Sequence, residues 1–284
     1  MLLITAFSWG LNWPVLKFAI HLWPPLTFRV LSGLAGAVFL LGIALVRGER
    51  LMPRRDQWTR LVIASVLNIG SFMGFATLSL YWLDASEASI IAYTMPIWAA
   101  MMAWPVLGER PTWPRVAGLA LGFSGVAVLL AGQLLSAPPA VLLAKLPGFA
   151  LIMATALMFA AGAVFTKRFP IQMPALANVG WQIFLAALPL LVLAAAFDRW
   201  DLRGIDAMGW GAFAYVALIA LCASYLAWFR TLALLPASAA ATGTLLVPVI
   251  GVFSSALLLG EPLGLRQLLA LAMTLSGVML ASRG

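Results

Sequence analysis

The chain has 284 residues, of which 64% are hydrophobic and only 9% charged. A soluble domain carries about a quarter charged residues, so a water-facing surface of ordinary size is excluded. Seventeen Lys and Arg stand against nine Asp and Glu, and the single cysteine and single histidine leave no disulfide framework and no Cys/His metal cluster.

Cutting the chain at every charged residue leaves ten uncharged runs of sixteen or more residues: 1–16, 30–46, 61–83, 88–108, 116–144, 146–166, 169–197, 207–229, 231–260 and 267–282. A spanning helix needs roughly 17–25 mostly apolar residues. Each run therefore holds one span, and the sequence predicts an all-α integral membrane protein of ten transmembrane helices.

Helix 1, at 2–20, carries Trp9, Asn12, Trp13 and Lys17. It lacks the basic n-region and the cleavage site of a secretion signal, and is expected to be a span. Helix 2, at 27–46, follows Pro24-Pro25 and presents Gly33 and Gly36. The loop 47–60 holds five arginines. Helix 3, at 58–81, contains Asn68, Ser71 and Phe75, and helix 4, at 86–107, contains Tyr93, Thr94, Pro96 and Trp98. Helix 5, at 112–132, places Gly118, Gly122 and Gly125 at a spacing that lets helices approach closely. The segment 136–146 is expected to be a linker, dividing a first repeat at 1–135 from a second at 147–284. Helices 6 and 7 are expected at 147–167 and 174–196. Helix 8, at 208–231, carries Cys222, Tyr225 and Trp228. Helix 9, at 237–259, carries Thr242, Thr244 and Pro248, and helix 10 occupies 265–282.

The halves are related. Residues 83–132 align without a gap onto 235–284, and fourteen of the fifty positions are identical. Among them are Ala85-Ser86 with Ala237-Ser238, Pro96 with Pro248, Leu107-Gly108-Glu109 with Leu259-Gly260-Glu261, and Ser124-Gly125-Val126 with Ser276-Gly277-Val278. An odd number of spans per half makes the second half enter from the opposite side. The expected architecture is two inverted five-helix repeats around a central cavity, the organisation of many secondary transporters. If the N-terminus is cytoplasmic, eleven basic residues fall on the inner side and six, including Lys17, Arg29 and Lys145, on the outer side. This bias places both termini inside, and it accounts for the net charge of +8 without a nucleic-acid partner.

No catalytic motif is present, so an enzyme is not expected, and no cofactor is implied. All nine acids lie at predicted helix ends or in loops. Glu109 and Glu261 close helices 4 and 9 and are expected to cap or pair locally, and Cys222 to pack. With no carboxylate or histidine expected at membrane depth, Glu87 one turn into helix 4 being the nearest exception, the reading is a carrier without tight proton coupling. The deep residues are aromatic or weakly polar: Trp9, Asn12, Phe75, Tyr93, Trp98, Tyr225, Trp228 and Thr244 among them. Pro96 and Pro248 are candidate bending points, since proline deletes a helix hydrogen bond. Lys17, Lys167 and Arg230 sit near helix ends, so the wall suits an uncharged or zwitterionic solute with an apolar side group. Membrane lipid is the only other partner expected, and nothing requires an oligomer.

The stretch Ala6-Phe-Ser-Trp-Gly-Leu-Asn-Trp13 with Lys17, the early basic Arg29 in helix 2, and the repeated Ala-Ser, proline, Leu-Gly-Glu and Ser-Gly-Val signature resemble the drug/metabolite transporter superfamily, specifically its EamA-type exporters. The chain is most similar to the aromatic amino-acid exporter branch (YddG type). The resemblance implies a bacterial inner-membrane location, both termini cytoplasmic, and a cavity lined by helices 1, 3, 4, 6, 8 and 9. It also implies export of aromatic or other hydrophobic amino acids by alternating access. Carried over by position, Trp9, Asn12, Phe75, Tyr93, Trp98, Tyr225, Trp228 and Thr244 are the implied substrate-binding residues. Broader drug or metabolite efflux driven by a proton gradient is the alternative.

Overall fold

The structure, a computed structural model, describes residues 2–108, 112–136, 139–227 and 246–282. Within them the chain is helical, with no strand. Ten helices follow in order: α1 (Leu2–Leu22), α2 (Pro25–Val46), α3 (Arg55–Ser79), α4 (Ala85–Leu107), α5 (Trp113–Ser136), α6 (Pro139–Arg168), α7 (Ala175–Phe197), α8 (Ala207–Ala227), α9 (Leu246–Leu259) and α10 (Leu265–Ser282). α2, α3, α4, α7, α8 and the stretch Leu143–Arg168 of α6 are long and apolar enough to cross a membrane. α5, α9 and α10 hold shorter apolar stretches.

Helix ends follow local chemistry. α2 starts on Pro25, a position where the missing N–H costs no helix bond. Its first turn is closed from the other half: Asp198 accepts from the Thr27 amide at 2.7 Å and the Thr27 hydroxyl at 2.9 Å. The repeated Leu-Gly-Glu has a shared backbone role. Leu107 and Leu259 are the last helical residues, and Gly108 and Gly260 follow with φ of 75° and 67°. Only glycine enters that left-handed region cheaply.

Packing repeats between the halves. α1 packs on α9 as α4 packs on α6, and α2 packs on α8 as α7 packs on α3. α2 meets α7 directly, as α5 meets α10. Swapping each helix with the one five places later maps these contacts onto one another. The α5–α10 crossing is a close backbone approach: a Cβ built on Gly277 would lie 2.6 Å from the Gly118 carbonyl oxygen and 2.7 Å from the Gly122 amide. The glycine spacing of α5 is therefore a helix contact. One core cluster joins α1 to α4 and α8 around Trp13, Phe28, Leu80 and Val216, and a second joins α2 to α7 around Leu40, Met73 and Ile183. Cys222 is buried in the latter.

Two departures from the sequence reading bear on the site, together with a break beside Pro96, a candidate bending point. The expected linker at 136–146 is helical from Pro139 onward, so α6 starts well before 147. Its Ala-Val-Leu-Leu-Ala-Lys-Leu run consists mainly of good helix formers, and proline is tolerated at a first helical position. α3 and α8 are not regular either. Wide π-helical turns replace α-helix at Ser65–Gly70 and Phe72–Ala76 in α3 and at Tyr215–Ala223 in α8. The Thr77 and Ser224 hydroxyls each bond a carbonyl five residues back, Phe72 and Ile219. Finally, α4 is broken in two. Ala85–Ala92 and Met95–Leu107 are separated by a turn at Tyr93 and Thr94, and Pro96 sits at the start of the second segment. Proline has no amide hydrogen to continue the ladder across that turn. Pro248 is buried in the first turn of the described part of α9.

Candidate functional site

The irregular backbone surrounds a cavity of about 80 Å³, several times the ~10–15 Å³ that one water requires by the same measure. α1 supplies Trp9, Asn12, Trp13 and Leu16, one face of a helix at successive turns. The π turns of α3 and α8 bring Phe72 and Ala76 from one side and Val216, Ala220 and Leu221 from the other. π turns cluster at functional sites because they aim side chains that a regular helix would not. The break in α4 presents Tyr93 and Met95, α6 adds Phe159, and α8 closes the wall with Tyr225. Arg29 enters from the second turn of α2.

The walls are held in place by hydrogen bonds that span the two halves. Trp9 donates through Nε1 to the Ala220 carbonyl at 3.1 Å and meets Tyr225 edge-on, with ring centroids 5.3 Å apart. The Tyr215 hydroxyl donates to the Ser8 carbonyl at 2.8 Å. Phe72 and Phe159 meet edge-on at 5.4 Å. Two polar atoms in the wall are buried with no hydrogen-bond partner, Asn12 Oδ1 and Arg29 Nε. Arg29 is 4% exposed. It is the one charged side chain among the described lining residues.

Beyond Leu16 the wall gives way to a charged cluster. Lys17 donates to the carbonyls of Leu80 and Leu83 at the end of α3. Asp84 and Glu87 form a reciprocal capping box on α4, and Glu87, itself buried, pairs with Lys145 of α6 at 3.1 Å. Glu261, from the α9–α10 connection, accepts from the Ala85 amide at 2.6 Å, the Ser86 amide at 2.9 Å and the Ser86 hydroxyl at 2.7 Å. Glu261 therefore caps a helix of the opposite half rather than its own. The repeat-related Glu109 lies outside the described residues.

Of the residues singled out in the sequence, Trp9, Asn12, Tyr93 and Tyr225 converge on the cavity. Phe75 does not. It is 37% exposed while its neighbours Phe72 and Ala76 line the wall, because the π turn shifts the face that a 3.6-residue period assigns. Trp98 is also elsewhere: its Nε1 donates to the Thr94 hydroxyl at 3.2 Å and its ring meets Phe123 of α5 edge-on at 4.8 Å. Trp228 and Thr244 lie outside the described residues. The topology count puts Arg29 of helix 2 among the outer-side charges, and the structure buries it in the cavity wall. The overlooked signal is a charge within a predicted apolar span, which is costly unless it serves a purpose.

Comparison with known proteins agrees with this architecture. The model of the EamA-like transporter family matches residues 1–131 and again residues 146–283, one match per half. A probable amino-acid metabolite efflux pump of Escherichia coli (strain K12) is 30% identical over 97% of this chain and 91% of its own length. The uncharacterized transporter YvbV of Bacillus subtilis (strain 168) is 28% identical over 99% of this chain and 90% of its own. A crystal structure superposes with a TM-score of 0.70 at 19% identity, covering 98% of this chain and 95% of that one, which shows a shared fold. Ten helices in two related halves, matched twice along the chain, make this protein a membrane transporter that belongs to the EamA-like transporter family.

Proposed function

We propose that this chain exports small amphipathic metabolites, foremost aromatic and other hydrophobic amino acids, across a bacterial inner membrane. The observation that carries this reading is the cavity itself: Trp9, Trp13, Phe72, Tyr93, Phe159 and Tyr225 surround two unpartnered polar atoms. Aromatic walls with a few convergent polar groups are how a small-molecule site selects a solute with one apolar and one polar end. The similarity to probable amino-acid metabolite efflux pumps of Escherichia coli and Salmonella typhimurium points to the same class.

Movement of the solute follows from alternating access of two inverted halves, with both termini cytoplasmic. The paired packing of α1 on α9 and α4 on α6 supports it, since such matching contacts are what two inverted repeats produce. Transport proceeds without tight proton coupling. No carboxylate or histidine lines the cavity among the described residues, and Glu87 is engaged with Lys145.

Proteoliposomes containing the purified chain test this with labelled phenylalanine and no ion gradient. Saturable uptake, best competed by Phe, Trp, Tyr and large aliphatic amino acids, is the expected result. Uptake only under an imposed proton gradient, competed equally by unrelated cationic drugs, assigns the chain to broader proton-driven efflux instead.

A further inference from the structure

We infer that Arg29 is the carboxylate anchor of the cavity, so that the transported solute carries a free carboxylate. The inference rests on the transport reading above and narrows it to a chemical class. Arg29 is 96% buried by its 4% exposure, and its Nε has no acceptor. Asp198, which reaches the first turn of the same helix, is occupied by the amide and hydroxyl of Thr27. No Asp or Glu lines the cavity among the described residues.

A buried charge without a counter-ion is strongly unfavourable, and most buried groups escape by changing protonation. Arginine has no such escape, because its guanidinium stays charged throughout the accessible pH range. Within the described wall the guanidinium Nε has no acceptor, and an incoming anion supplies one. The planar fork of the guanidinium matches a carboxylate geometrically. One cation, with no second basic group among the described lining residues, suits a monoanion rather than a phosphate dianion. The unpartnered Asn12 Oδ1 is an acceptor in the same wall, a place for an ammonium. An aryl or alkyl group between them rests on Trp9, Phe72 and Tyr93.

The test compares matched acids and amides on the full-length protein in detergent, by ligand-induced thermal stabilisation and by competition in proteoliposomes. The probes are phenylalanine against phenylalaninamide, and phenylacetate against phenylacetamide. The wild type is expected to bind each acid roughly 10- to 100-fold more tightly than its amide, the range set by one charge-assisted hydrogen-bonded contact. In Arg29→Gln that preference disappears, in Arg29→Lys it survives in part, and the unliganded Arg29→Gln protein melts no lower than wild type. The wild-type comparison needs no variant, so it stands even if Arg29→Gln fails to fold. Equal binding of acid and amide by the wild type, or a preference that persists in a folded Arg29→Gln, overturns the anchor and leaves transport of amphipathic solutes intact. Discrimination of phenylacetate with no binding of phenylalanine keeps the anchor and removes the amino-acid reading. No binding of any probe removes both.

Discussion

Glu261 reaches across the molecule to the first turn of α4, and its removal has a magnitude that can be worked out bond by bond. A helix start leaves its first amides without intrahelical acceptors. In α4 the Asp84 side chain takes the amide of Glu87, and Glu261 takes those of Ala85 and Ser86 together with the Ser86 hydroxyl. Hydrogen bonds to a charged group contribute about 1.5–3 kcal/mol each when buried. Glu261 is only part-buried, so water replaces much of what is lost, and helix caps measured by substitution contribute about 0.5–2 kcal/mol. Glu261→Ala is expected to destabilise by about 2 kcal/mol and Glu261→Gln by about half that. Ser86→Ala alone is expected to cost about 0.5–1 kcal/mol, and the pair to fall short of additivity because both mutations remove one shared bond. Reversible denaturation of the detergent-solubilised protein, run as a double-mutant cycle, measures all of this. If Glu261→Ala lies within about 0.5 kcal/mol of wild type, or the two changes add fully, Glu261 does not hold α4 and the argument is wrong.

Removing Lys145 leaves Glu87 as a buried carboxylate without its partner. Because Lys145 is 24% exposed, Lys145→Met is expected to cost about 1–3 kcal/mol rather than the full 3–5 of a fully buried pair, and adding Glu87→Gln should restore most of it; unfolding curves of the single and double variants decide. Gly277→Ala forces α5 and α10 apart at backbone that cannot move aside, so a loss of about 1–3 kcal/mol in the same assay is expected, and no measurable loss contradicts the crossing. Tyr225→Leu removes the edge-on partner of Trp9 from the cavity wall, and competition in proteoliposomes should show aromatic solutes losing about 10-fold relative to aliphatic ones, whatever the lost ring contact costs in stability. An equal loss for both solute types assigns Tyr225 to packing alone.

The number of helices and the relation between the halves are legible in the sequence because a bilayer imposes them. Apolar runs must reach across a fixed thickness, and every backbone group must bond within its own helix. The glycines of α5 and the Leu-Gly-Glu endings are legible for a similar reason, since a missing Cβ and a left-handed turn are local properties. Trp9, Asn12, Tyr93 and Tyr225 could be picked as deep polar or aromatic positions, and they do meet at the cavity. The misplacements come from assuming one helical period throughout. Where α3 turns to π geometry, Phe72 and Ala76 replace Phe75 on the inner wall. Where α4 breaks, Tyr93 is presented to the cavity while Trp98 turns to α5.

The sequence by itself determined the class, the helix count and the repeat, since hydrophobic length and self-similarity are properties of the chain taken one residue after another. The tertiary structure alone decided that Glu261 caps a helix of the other half, and that Arg29 lines the cavity with its Nε unpartnered and no acid beside it among the described lining residues. Both depend on which groups two distant segments bring within about 3 Å of each other, a relation that no run of residues along one helix contains.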